Sequence, residues 1–145
     1  MMMILFYVGK NCYCCSIDYV IEVIPKIPLK PLPHVPKYFL GLFNYAGESI
    51  AVVDFSSILS DKFSKNSMHT RMILLKNPLK DAKINILGLV AEEIVEVRDM
   101  EVEKFLSTGL KNGPLTFLEG IYNSDLDSIQ QVNIPQLFTF IEAHS

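Results

Sequence analysis

The sequence has no tryptophan, and its three cysteines fall within four residues as Cys12, Cys14 and Cys15. Without tryptophan, an aromatic cage or base-stacking platform would have to be built from tyrosine and phenylalanine. A closed zinc site needs four ligands, usually from two separated pairs. No second cluster follows, because His34, His69 and His144 are scattered along the chain. On an extended strand Cys12 and Cys14 share one face and Cys15 takes the other, so buried free thiols are the expected reading and a small metal or redox protein the alternative. No apolar run reaches 18 residues, which excludes a transmembrane helix. The opening apolar stretch lacks a basic n-region and a small-residue cleavage site, so we expect no signal peptide and a cytoplasmic chain with reduced thiols. There is no basic excess either: 13 Lys and Arg stand against 16 Asp and Glu, a net charge of -3. Nucleic-acid binding through phosphates is thereby disfavoured. Phosphate-binding glycine loops, the G-x-S-x-G elbow and the H-E-x-x-H zinc motif are all missing.

What is present is a chain of 145 residues, 50% hydrophobic and 20% charged. That is enough to bury a core without disulfides or metal. Its apolar runs are short and bounded by turn residues, a strand pattern. Met2–Val8 and Cys12–Ile17 flank Gly9-Lys10-Asn11 as a hairpin. Pro25, Pro28, Pro31, Pro33 and Pro36 make an extended connector, with a Pro-rich ligand segment as the alternative. Phe39–Tyr45 and Ser49–Asp54 form a second hairpin around Ala46-Gly47-Glu48. Phe55–Ser60 reads as a short helix capped by Asp54, and Asp61–Thr70 as polar loop. Arg71–Lys76 is a strand, and Ile84–Val97 is long enough to bend or to be two. Leu115–Asn123 and Ser128–Asn133 flank a turn at Ser124-Asp125-Leu126-Asp127. Ile134–Ala143 reads as a terminal helix with Asn133 as cap and Pro135 in its first turn.

Two internal echoes set the expected architecture. Gly41, Asn44, Ile50, Val53, Asp54 and Ile58 recur, 79 residues on, as Gly120, Asn123, Ile129, Val132, Asn133 and Leu137. Asp18–Val23 is echoed by Glu92–Val97 at an offset of 74. We therefore expect an all-β chain of two similar small barrels with short helices. The acidic residues Glu92, Glu93, Glu96, Asp99, Glu101 and Glu103 could pair carboxylates or hold Mg²⁺. A solvated strand edge is the expected reading. A chemistry-poor, apolar-rich domain of this kind suits an adaptor working through its surface.

The stretch Met3–Val23, the connector with Pro31-Leu32-Pro33 and Pro36-Lys37-Tyr38, and the motif Gly41-Leu42-Phe43-Asn44-Tyr45-Ala46-Gly47 followed by Ile50–Phe55 together resemble CheW-like domains. Thr70–Leu75, Gly88–Ile94 and Gly120–Phe138 look like the family's later strands and closing helix. The resemblance implies two SH3-like five-stranded β-barrels in one domain spanning 1–145. The first barrel would cover 12–80, the second 1–11 and 81–133, and the C-terminal helix 134–143. It implies a non-catalytic, free-standing scaffold in chemosensory signal transduction, with no cofactor, metal or catalytic residue. The implied partners are a CheA-type histidine kinase, through that kinase's own CheW-like domain, and the cytoplasmic tip of a methyl-accepting chemoreceptor. The implied location is cytoplasmic, in receptor arrays, without membrane insertion. A degenerate module with a different partner is the alternative.

Partner binding is expected at Val20, Glu22, Asn44, Tyr45, Ala46 and Gly47. Three positions depart from the family pattern. Ala46 replaces the motif arginine, Ala51 a proline, and Glu92 an aspartate. Without that arginine Glu22 must be solvated or find another cation, with Lys10 and Lys37 as candidates, while the Tyr45 ring covers the vacated surface. The Phe43-Asn44-Tyr45 form looks like adaptors of non-flagellar arrays, including those that end in cyclic-di-GMP synthesis.

Overall fold

The computed structural model describes residues 1–107, 113–123 and 128–144. Among these residues ten strands and two short helices follow in order: β1 (Met2–Val8), β2 (Asn11–Ser16), β3 (Val20–Pro25), β4 (Phe39–Tyr45), β5 (Glu48–Asp54), α1 (Phe55–Ser60), β6 (Arg71–Lys76), β7 (Ile86–Ala91), β8 (Glu93–Asp99), β9 (Leu118–Asn123), β10 (Ser128–Val132) and α2 (Ile134–Ala143). The expected caps form. Asp54 accepts from the Ser56 amide at α1, and Asn133 accepts from the Gln136 amide at α2, where Pro135 occupies the first turn. The expected turn at 124–127 lies outside the described residues, but β9 and β10 pair antiparallel on either side of it.

The strands form two five-stranded sheets, ordered β8-β1-β2-β10-β9 and β3-β6-β7-β5-β4. The first draws on both ends of the chain and is called the terminal sheet; the second is built from one contiguous stretch, the central sheet. This differs from the expected barrel boundaries in two strands. β2 belongs with the terminal sheet, because its tight turn holds it to β1, with Val8 opposite Asn11. β7 belongs with the central sheet, in register with β6 from Arg71–Ala91 to Lys76–Ile86. The long segment Ile84–Val97 is accordingly two strands in different sheets, broken at Glu92.

The internal repeat is β1–α1 followed by β6–α2. The first hairpin of each repeat joins the last three strands of the other. β2 runs parallel to β10, and β7 parallel to β5. Irregularities also repeat. The register skips Ile21 in β3 and Val95 in β8, positions 74 apart in the sequence. Beyond β3 the chain crosses back to β4 through paired Lys30–Leu42 backbone bonds, and beyond β8 it crosses to β9 through Leu106–Ile121. These crossings curl each sheet on itself. They also explain the echoed glycines: a Cβ on Gly41 would lie 2.5 Å from the Lys30 carbonyl oxygen, and one on Gly120 3.1 Å from that of Leu106. The proline-bearing connector is therefore tied down at Lys30.

Three clusters make the core. Phe43, Ile50, Val52, Met72, Leu74 and Val90 fill the central sheet, and Met3, Leu5, Cys12, Cys14, Met100 and Ile129 the terminal one. The largest cluster lies between them and takes Phe6, Cys15, Phe55, Leu75, Leu89, Phe117 and Phe138 from both sheets and both helices. The cysteines divide between faces as strand alternation requires.

Candidate functional site

The bulge at Ile21 decides what β3 presents. Val20 lies opposite Leu75, which belongs to the shared core, whereas Glu22 lies opposite Leu74, inside the central sheet. Val20 is accordingly half-buried against the shared core, while Glu22 emerges at the open end of the sheet. There the Tyr45 hydroxyl donates a hydrogen bond to the Glu22 carboxylate. The Tyr45 ring stands edge-on to Phe43, with centroids 6.1 Å apart. The carboxylate acceptor and its charge hold the Tyr45 hydroxyl above its ordinary pKa.

Tyr45 faces Glu48 across a two-residue turn, Ala46-Gly47. Both turn residues have positive φ, 50° for Ala46 and 86° for Gly47, the mirror-type turn that suits strand twist. The Asn44 side chain accepts from the Gly47 amide at 3.1 Å and fixes this turn. Glu22, Asn44, Tyr45, Ala46 and Gly47 thus meet at one end of the central sheet, and Val20 turns away from them. Neither lysine suggested for Glu22 reaches it. Lys37 pairs with Asp61 at 3.7 Å, and Lys10 borders a groove beside Glu92. A neutral hydroxyl replaces the expected cation.

Sequence reasoning missed the exposed edge of each sheet. Ile21 and Val23 on β3 are exposed, as are Val95 and Val97 on β8. Val23 lies opposite Ile73, and Val97 opposite Ile4, both of the shared core. The two valines therefore stand at the rim of the contact between the sheets. The 74-residue echo contained this signal, but it marked strands and not their exposure.

The acidic run is not all solvated edge. Glu92 accepts from the Gly9 amide at 2.5 Å and from the Lys65 amide at 2.6 Å, tying the β1–β2 turn to the loop before β6. Cys14 and Cys15 are fully buried. Burial, with a smaller push from Cys12, raises the Cys14 thiol to about 12, and burial raises Cys15 further. Such thiols are poor nucleophiles and poor ligands. Among the described residues no cluster of three or more His, Cys, Asp or Glu side chains is placed to hold a metal, and no helix is long and apolar enough to cross a membrane.

This arrangement has known counterparts. The CheW-like domain model matches residues 2–142. A chemotaxis protein CheW of Rhizobium meliloti is 30% identical over 101 residues, covering 70% of this chain and 64% of that protein. One of Helicobacter pylori is 24% identical over 127 residues, covering 88% of this chain and 76% of that protein. The fold matches the crystal structure of the scaffolding protein TtCheW from Thermoanaerobacter tengcongensis with a TM-score of 0.78, at 20% identity, over 90% of this chain and 87% of that one. The matched region thus spans just under two-thirds of the Rhizobium meliloti protein. The family model matches nearly the whole chain, over two pseudo-repeated sheets: this protein belongs to the CheW-like domain family.

Proposed function

We propose that this chain is an adaptor that couples the cytoplasmic tip of a chemoreceptor to a CheA-type histidine kinase in a cytoplasmic chemosensory array. Glu22, Asn44, Tyr45, Ala46 and Gly47 form part of its partner-binding surface. The observation that carries this reading is the Glu22–Tyr45 hydrogen bond at the exposed end of the central sheet. It presents a carboxylate and an aromatic ring beside a fixed turn. The exposed pairs Ile21/Val23 and Val95/Val97 add apolar surface at the rim between the sheets, suited to a helical tip. Val20 contributes by supporting β3 from the shared core.

Ala46 decides between two kinds of partner. A partner fitted to this surface, flatter and less charged than the family's, rejects Ala46→Arg, because an unpaired interface charge is expensive. A partner fitted to the family's arginine gains from it. Titrating kinase and receptor fragments against wild type and Ala46→Arg separates the two, and we expect the substitution to weaken binding by about 1–2 kcal/mol, roughly tenfold. Equal affinities would put position 46 outside the interface and overturn the assignment of this site.

A further inference from the structure

The opposite end of the central sheet carries a second surface that the Glu22–Tyr45 site does not use. Pro25 pairs with Arg71 there, four residue steps along β6 from the Val20–Leu75 pair, or roughly 13 Å at strand rise. The loop 61–70 covers this end, and it is pinned. Buried Asp54 accepts from both the amide and the hydroxyl of Ser64, Glu92 accepts from the Lys65 amide, and the Thr70 hydroxyl donates to the Lys65 carbonyl at 2.6 Å. In this pinned conformation two apolar side chains face solvent: Phe63 is 53% exposed and Met68 81%.

Two grooves flank the loop. One of about 510 Å³ runs between Asn66 and the apolar side chains of Ile27, Pro28, Leu29 and Leu40, with Lys26 at its margin. The other, about 370 Å³, takes Lys65, Ser67 and His69 from the loop itself and is walled on its far side by Tyr7, Lys10, Glu92 and Glu93, so its charge is mixed. Charge is divided unevenly along the chain. Residues 20–91 hold nine Lys and Arg against five Asp and Glu, while the rest of the chain holds four against eleven. Among the described residues no ion pair engages Lys26, Lys62, Lys65 or Arg71.

We propose that this end of the central sheet, built on loop 61–70, is a docking surface for an acidic protein segment that bears apolar side chains. The cations draw the segment in and set its orientation, the groove lined by Ile27, Pro28, Leu29 and Leu40 takes its apolar residues, and Phe63 adds exposed apolar surface from the same loop. The surface lies apart from the Glu22–Tyr45 site, so the inference does not rest on the reading given above.

The test uses the full chain alone, without kinase or receptor. A fluorescein-labelled 16-residue peptide of glutamate and leucine at helical spacing is titrated at low and moderate salt, beside a peptide with serine in place of each leucine. Binding of the leucine peptide is expected to weaken at least tenfold in the double variant Lys26→Glu/Lys65→Glu, and severalfold in Phe63→Ser and in the serine peptide. Ala46→Arg should leave it unchanged. Lys62→Glu, at an exposed lysine, serves as a second reversal if the double variant melts early. Equal binding of wild type and both reversals would overturn the proposal. So would equal binding of the leucine and serine peptides, binding of phosphatidylglycerol vesicles with none of peptide, or self-association of the chain that excludes the peptide.

Discussion

At the scale of single residues, the Glu22–Tyr45 pair makes its own prediction. Tyr13, Tyr38 and Tyr45 are shifted above the ordinary value of 10.0, Tyr13 and Tyr38 by burial and Tyr45 by its bond to the Glu22 carboxylate. A raised pKa means that the fold favours the neutral hydroxyl. The stabilisation is fully present below pH 10 and is lost as pH rises through the higher folded value, where a phenolate would face a carboxylate. Ultraviolet titration should therefore show a late-ionising group that vanishes in Tyr45→Phe and moves back toward 10 in Glu22→Gln. If the Tyr45→Phe difference curve is centred at the ordinary value, the hydrogen bond does not form in solution. This partner was not legible in the sequence. The missing arginine at Ala46 pointed to a replacement cation, but the bulge at Ile21 that turns Glu22 toward Tyr45 leaves no mark in residue type.

At the scale of elements, the glycine echo acquires a physical cause. Gly41 sits at φ 147° with the Lys30 carbonyl in the place of a side chain, so Gly41→Ala meets both a disfavoured backbone and a backbone clash at 2.5 Å. We expect a loss of about 2–4 kcal/mol, read as the shift in a urea melt. Gly120→Ala lacks the positive φ and meets Leu106 at 3.1 Å, so its cost should stay near 1 kcal/mol. Equal costs would mean that the crossing segments, not the glycines, set the spacing. What the sequence revealed here was local: hairpins, the Asp54 and Asn133 caps, and the repeat itself. What it hid depended on distant partners. The break at Glu92 exists because Glu92 binds amides on two other segments, and the loop 61–70 is ordered by Asp54 and Glu92, which precede and follow it in the chain.

At the scale of the whole molecule, the exchanged hairpins test whether the two sheets are one folding unit. Residues 20–91 contain every strand of the central sheet in one piece, together with its inner cluster. Excised, this segment would expose Val53, Phe55, Ile73, Leu75, Leu87, Leu89 and Ala91, which in the full chain pack against the terminal sheet and α2. Burying a large apolar side chain contributes about 1.5–3 kcal/mol, so uncovering even half of this set removes as much as a domain's usual stability of about 5–15 kcal/mol. The fragment 20–91 is therefore expected to bind a hydrophobic dye and to melt without a cooperative transition, while the full chain unfolds in one step followed equally by circular dichroism and tyrosine fluorescence. A fragment that melts cooperatively near the temperature of the full chain would show that each sheet stands by itself. The shared core would then be an interface between two domains, and a partner helix lying along its rim at Val23 and Val97 could part them without unfolding either.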